Sequence, residues 1–462
     1  MSDWEGLLST AMVGTGRRSL PGGVLAGVVD AGRLDVDGPE ASVLASAAVL
    51  GAYRRAGWVP PGWHGERVPP AEADPRQEAS PTATQVLELL LDRNVHVDGG
   101  NELLIAQWLR ACAGAGHRPP ARLLVTLLQL ATANPGMRED VRVVAGPRGA
   151  WLAARNKRWA WAVPPDAGDV AERFTTATRT ERLALLTTLR RTDPDRGREL
   201  VEKTWPREQA ATRAGLLDGL ATGLSDSDEP FLESTLDDKA VTVRAAAGAL
   251  LDRLPNSRRA ARMAARVPPP GELPAEPDAA GRRDGIVDRR EPAYGLAASW
   301  LMQIVTAAPL PPTSALDDAT PELLIGWTRA ALRRRDHTWL AALAAANPTP
   351  EVLAALPPAE ATRIVAAQDT VDARFAGLLA ACPGPWPADF SIEITNRLRT
   401  TRVEGALTLA FGTLVANLDG AALPAVEDWL TDTPEDRRAR RRTLRGLAHA
   451  LTIRRTIQQE FT

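Results

Sequence analysis

A spacing of 31 residues recurs in the middle of the chain, and it constrains the fold more than any other feature. Arg182, Arg213 and Arg244 follow one another at this interval, and the segments after them read LALLTTL, AGLLDGL and AAAGALL. Leu186 corresponds to Leu217 in the first two copies. Helical hairpins that repeat in this way cannot bury their apolar faces alone, so they stack side by side into a curved solenoid.

A second helix keeps the same spacing. Leu200 aligns with Phe231, and Trp205 aligns with Leu236. Coincidental spacing of leucines in an alanine-rich chain would explain one such series, but two helices that share one offset favour a true repeat. We therefore expect a stack of helical hairpins over residues 174–267, with two good copies and a third partial one.

Outside this core the sequence remains helical. It shows no sustained period-2 alternation, and VRVV at Val141–Val144 is the one short strand candidate. The segment 268–294 is rich in proline and poor in apolar residues, so we expect a linker or long loop there. The sequence thus predicts an all-α protein with an N-terminal helical region at 1–145, a repeat core at 146–267 and a C-terminal helical region at 295–462.

The charge balance argues against a general attraction to polyanions. The chain has 55 basic and 57 acidic residues, for a formal net charge of -2. Its two cysteines, Cys112 and Cys382, are too few for a disulfide framework and fit a reducing compartment. The N-terminus lacks the pattern of a signal peptide, and no apolar run approaches the roughly 20 residues of a membrane span. We expect a cytoplasmic protein.

Sequence patterns for metal binding or catalysis are missing. None of the five histidines pairs with another histidine or a cysteine at metal-ligand spacing. No nucleophile stands beside a paired base, and there is no Gly-x-Ser-x-Gly elbow. We therefore predict no catalytic residue, no metal site and no cofactor.

The motif VGTGRR at Val13–Arg18 raises the question of phosphate binding. Backbone amides of a Gly-x-Gly turn can cradle a phosphate, and Arg17 and Arg18 are placed to clamp it. However, the motif follows a predicted helix rather than a strand. A glycine C-cap that ends this helix is the interpretation we favour.

The segment WLAARNKRWAW interleaves tryptophans with cations, as proteins that bind single strands or flipped bases do. Its residues of interest are Trp151, Arg155, Lys157, Arg158, Trp159 and Trp161. The alternative, which we favour, is that the tryptophans attach the first repeat to the N-terminal region while the cations remain solvated.

The densest basic patch lies on the predicted terminal helix. Arg438, Arg441, Arg442 and Arg445 fall on one helical face, opposite a leucine stripe. A charged run of this kind is usually a solvated face, and the alternative is a surface that binds a partner or a phosphate.

Three segments together resemble a bacterial family of unknown function, number 5691 among the domains of unknown function. They are GPRGAWLAARNKRWAW (146–161), ERLALLTTLRRTDP (181–194) and GLSDSDEPFLESTLDD (223–238). The resemblance covers most of the chain, and it departs at Lys157, where the family pattern has a proline. The helical core also resembles HEAT-type repeats, which implies an α-α superhelix of HEAT-like helical hairpins between flanking helical regions.

Members of such families are often encoded beside a MoxR-type AAA ATPase, a von Willebrand A-domain protein and a SWIM zinc-finger protein. This association implies a role in a multi-protein system and transfers no catalytic residue. Our first hypothesis is a non-enzymatic scaffold or adaptor that binds protein partners. The alternatives are a nucleic-acid-binding HEAT-like protein that modifies bases, which rests on fold analogy, and a small-molecule enzyme with its site between the N-terminal helices and the repeats.

Overall fold

The chain divides into two compact units, residues 1–70 and residues 71–462. The computed structural model describes residues 3–22, 25, 28, 36–57, 68–92, 94–95, 97, 100–163, 170–400 and 406–462. The division falls at residue 70 rather than at the boundaries 145/146 and 294/295 expected from the sequence. The physical reason is that the two ends of the second unit share one hydrophobic core.

The protein is all-α, as the sequence predicted. Among the described residues, the only strands are β1 (Gln77–Glu78) and β2 (His117–Arg118), which pair in parallel. The first unit contains α1 (Asp3–Val13) and α2 (Pro39–Ala56). Their buried apolar side chains, with Leu25, form a small core of their own.

The helices of the second unit fall into three consecutive groups. The first group is α3 (Pro81–Leu91), α4 (Asn101–Gly114), α5 (Leu124–Ala133) and α6 (Arg138–Ala153). The repeat group is α7 (Val170–Thr176), α8 (Arg179–Thr192), α9 (Pro194–Thr204), α10 (Ala210–Leu220), α11 (Glu229–Thr235), α12 (Val241–Leu251), α13 (Arg258–Ala264) and α14 (Ala279–Arg283). The last group is α15 (Leu296–Ala307), α16 (Pro321–Arg334), α17 (His337–Ala346), α18 (Pro350–Ala355), α19 (Pro358–Ala366), α20 (Ala373–Ala381), α21 (Ala388–Thr400), α22 (Ala406–Asn417), α23 (Leu423–Asp432) and α24 (Arg438–Glu460).

The strand candidate at Val141–Val144 is helical, which corrects the sequence-based expectation. Val141 and Val144 lie one turn apart in α6, and both side chains are fully buried. Strand preference of β-branched residues is mostly a matter of packing context, and a helix also places these two valines on one face.

The 31-residue spacing appears directly in the helix boundaries. The helices α8, α10 and α12 begin at Arg179, Ala210 and Val241, which are 31 residues apart. Leu186 and Leu217 occupy equivalent positions on α8 and α10, and both are fully buried. The repeat group forms a hydrophobic cluster of its own, from Phe174 to Leu254.

The first and last groups of helices share the main hydrophobic core. This core contains buried residues from 79–162 and from 301–457 but none from the repeat group. The terminal helix α24 closes it by packing on α3 and α4. The ring of Phe461, just after α24, makes a T-shaped contact with the fully buried Trp108 ring at a centroid distance of 5.2 Å. The repeat group is therefore an insertion between two halves of one core.

The segment 268–294, expected to be a linker or long loop, is held against α11 and α13 by ion pairs. It contains α14, and Asp284 and Ile286 within it are buried. Arg262 pairs with Asp284 at 2.6 Å, and Arg283 pairs with Glu233 at 2.9 Å. Charged residues thus fix a segment whose low apolar content predicted little packing.

Candidate functional site

The basic patch on α24 divides into residues with different roles. Arg441 is half-buried, and its Nη1 atom donates to the carbonyl oxygens of Leu430 and Thr433 at the end of α23. The guanidinium of Arg440 lies 5.2 Å from the centre of the Trp429 ring. These two arginines hold α23 against α24, so Arg441 is a structural residue of this interface.

The other three arginines of the patch face outward. Arg438, Arg442 and Arg445 are exposed, and none of their side chains makes a hydrogen bond or ion pair with another described residue. Their spacing of four and three residues places them on one face of α24. The opposite face is buried and carries Leu444 and Leu447. Three positive charges therefore point away from the core on one helical surface.

The tryptophan-cation segment is largely used inside the protein. Trp159 is 9 % exposed and belongs to the main core. Arg155 stacks on the Trp151 ring at 4.0 Å, and its Nη1 atom donates to the Trp151 carbonyl oxygen at 2.8 Å. Only Lys157 and Arg158 remain as exposed cations without a partner among the described residues. The segment presents no row of exposed aromatic rings on which bases could stack.

The glycine-rich turn in the first unit ends α1. Gly14 has a φ of 89°, and its N–H donates to the Thr10 carbonyl oxygen at 2.9 Å. This is the geometry of a helix that stops at a glycine. Arg18 donates from Nη1 to Ser9 Oγ at 2.7 Å, while Arg17 is exposed.

The sequence pattern gave no sign of the buried ion pair between Arg190 and Asp228. Both side chains are fully buried, and Nη2 of Arg190 lies 2.7 Å from Oδ2 of Asp228. The same guanidinium also donates to the carbonyl oxygens of Pro194, Thr222 and Gly223. It therefore joins the end of α8 to the turn that precedes α11.

The arginines at the 31-residue spacing also serve the repeat. Arg182 lies over the Phe174 ring at 4.7 Å, and Arg213 lies over the Trp205 ring at 5.8 Å. The two aromatic residues are themselves 31 residues apart. Arg182 and Arg213 also pair with Glu208 and Asp238, so both arginines are engaged within the repeat group.

The described residues offer little for catalysis. They contain no group of three or more metal-ligating side chains, and His64 and His96 lie outside the described residues. Burial raises the pKa of both Cys112 and Cys382 to about 12, so both thiols stay protonated near neutral pH. Neither cysteine is therefore suited to act as a nucleophile.

One match to a known family spans nearly the whole chain. A family model, described as a family of unknown function (DUF5691), matches residues 6–461. The chain belongs to this family. Membership in DUF5691 therefore extends over both units, including the basic face of α24 and the repeat group.

Comparison with the curated proteins gave no match, and comparison with the solved structures gave none. Within the ranges that the structure describes, no helix of this DUF5691 member is long and apolar enough to cross a bilayer.

Proposed function

We propose that this DUF5691 member is a non-enzymatic scaffold or adaptor that uses the exposed face of α24 to bind an acidic protein surface. The proposal includes an α-α superhelix of HEAT-like hairpins as the supporting frame and a bacterial cytoplasmic location. The stacked helices α8, α10 and α12 support the first point, and the small number of cysteines supports the second.

One observation carries the proposal. Arg438, Arg442 and Arg445 lie together on one face of α24, and none of their side chains has a partner among the described residues. A binding surface for an anionic partner explains why these three charges face solvent together.

The position of these arginines in α24 strengthens the argument. The amino end of a helix carries partial positive charge, so basic residues there are unfavourable and acidic ones are favourable. The first turn of α24 contains no acidic residue and begins with Arg438. Arg438 and Arg442 also repel each other, because like charges four residues apart are close on a helix. A local rule that is broken in this way often marks a functional surface.

The geometry of the face indicates the form of the partner. The seven helical steps from Arg438 to Arg445 span about 10 Å along the helix axis at 1.5 Å per residue. An acidic helix with carboxylates at matching intervals would meet all three guanidinium groups, and arginine binds carboxylates in bidentate fashion. The family resemblance makes a MoxR-type AAA ATPase or a von Willebrand A-domain protein the candidate partner.

The test replaces Arg438, Arg442 and Arg445 together with Glu and leaves Arg441 in place. A matched control replaces Arg191, Arg196 and Arg207, which are exposed arginines of the repeat group, with Glu. We expect a tagged wild-type chain to retain a protein partner from its host, the control to retain it equally, and the α24 variant to lose it. Quantitative mass spectrometry of the captured proteins measures this difference. Equal capture by all three chains would exclude the α24 face.

The same variants decide between protein and nucleic-acid binding. We expect no more than weak duplex DNA binding near physiological salt, measured by fluorescence anisotropy. If the three arginines did bind phosphates, the log–log dependence of affinity on salt would have a slope of about -2.7. Submicromolar DNA affinity that is lost only in the α24 variant would replace the adaptor proposal with the nucleic-acid one.

A further inference from the structure

A cavity of about 740 Å³ lies between α4, the end of α22 and the last turns of α24. Leu103, Ala111 and Ile457 contribute apolar surface to its lining, and Gln107 and Arg454 contribute polar groups. This volume is within the range of about 300–1,000 Å³ that small-molecule sites occupy, and a mainly apolar wall with a few polar groups is typical of such sites.

Arg454 is the unusual group in this cavity. Its side chain projects from α24 and is only 7 % exposed. Nε donates to Gln107 Oε1 at 2.9 Å, Nη1 donates to the Leu418 carbonyl oxygen, and Nη2 donates to the carbonyl oxygens of Val415 and Ala416. These bonds use four of the five N–H groups. Every hydrogen-bond acceptor is neutral, and the Asp419 carboxylate acts on the charge only from beyond ion-pair distance.

No carboxylate makes an ion pair with Arg454 within the described part of the chain. Asp419 also lines the cavity, but its oxygens accept from the Ala421 N–H and from Gln458 Nε2, both at 2.8 Å. No ion pair joins Asp419 to Arg454. Arg190 and Arg259 are also buried, and they differ because each pairs with a carboxylate, Asp228 and Asp252 respectively.

We propose that this cavity binds a small organic carboxylate with an apolar body, whose carboxylate group faces Arg454. The apolar wall would cover the body of such a ligand, and its charge would balance the arginine. A buried cation without a counter-ion is costly, and an anion that supplies one forms a charge-assisted hydrogen bond. Burial also lowers the pKa of Arg454 to about 10, although the Asp419 carboxylate acts in the opposite direction.

The experiment uses benzoate as the probe, with benzamide as its uncharged analogue. Isotope-labelled methyl groups of Leu103 and Ile457 report binding by NMR, because both residues line the cavity. We expect saturable shifts at these two residues with benzoate. We expect at least about tenfold weaker binding of benzamide, because a hydrogen bond to a charged group discriminates by at least this factor.

Two variants separate a binding site from a structural role of Arg454. Replacing Arg454 would also remove its bonds to the end of α22 and could unfold the chain. Ala111→Trp instead fills the cavity and leaves these bonds in place, and it should weaken benzoate binding at least about tenfold. Arg455→Met is the matched control, since Arg455 is exposed and does not line this cavity.

Loss of binding in Ala111→Trp with retention in Arg455→Met supports the proposal, provided that both variants melt close to the wild-type temperature. The proposal is wrong if benzamide binds as tightly as benzoate, or if benzoate shifts persist in Ala111→Trp. It is equally wrong if benzoate causes no saturable shift at Leu103 and Ile457 up to about 10 mM, a limit that already includes very weak binding. None of these results depends on the partner surface of α24.

Discussion

The buried pair of Arg190 and Asp228 allows the sharpest test of what stabilises the repeat group. We predict that Asp228→Asn lowers the local free energy of unfolding by about 3–5 kcal/mol, because removal of one partner leaves an uncompensated buried charge. Both side chains are fully buried, so water cannot replace the lost carboxylate. The substitution keeps the shape of the side chain, and the loss therefore reports charge rather than packing.

Hydrogen exchange measured by mass spectrometry on peptides from α8, α10 and α11 is the suitable assay, because it reports local opening. A loss of 3–5 kcal/mol corresponds to exchange faster by about a hundredfold to several thousandfold. Asp226→Asn is the matched control, since Asp226 lies two residues away and is exposed. A change below about tenfold for Asp228→Asn would refute the idea that this charge pair stabilises the repeats.

The remaining predictions concern packing, the segment 268–294, the buried thiols and the dipole of α24. Leu217→Asp should cost several kcal/mol in a thermal melt, because it places an unpaired charge in a fully buried position. A nonspecific protease should spare residues 268–294 in the wild type but cut there first in Asp284→Asn, which weakens the ion pair with Arg262. Cys112 should react with a thiol reagent at pH 8 only after unfolding in urea, because burial raises its pKa to about 12 and deprotonation while folded would need a much higher pH. Arg438→Glu should raise the melting temperature by up to about 2 °C, because an acidic residue is favoured at the start of α24; a fall would contradict the dipole argument.

The helix positions between residues 179 and 251 could be predicted from the sequence because the apolar pattern there is periodic. Leu186 and Leu217 mark equivalent buried positions, and the start of each first helix follows the same interval. A third copy was expected to continue to Val267, but this residue is 39 % exposed. The apolar pattern thus locates the stacked helices well and the end of the stack less well.

The shared core could not be predicted in this way. Phe461 and Trp108 are far apart in the sequence, and no local pattern indicates that their rings meet. The ion pairs of Asp284 could not be predicted from a local pattern either, because nothing in a polar segment indicates which arginine its carboxylate will meet. Arg454 also looks like one more basic residue of a charged helix, and only the tertiary fold buries it.

The packing of α24 on α3 and α4 also determines the order in which parts of the chain can fold during synthesis. Ser80 and Glu460 make a hydrogen bond across 380 residues of sequence, and at about 5–20 residues per second the ribosome needs about 20–80 s to make that length of chain. The repeat group closes its own core once Leu254 has been made, so it can fold well before the halves on either side of it. During this interval the apolar surfaces of α3 and α4 that pack on α24 remain uncovered. We therefore expect a nascent chain of this protein to bind a chaperone that holds exposed helices.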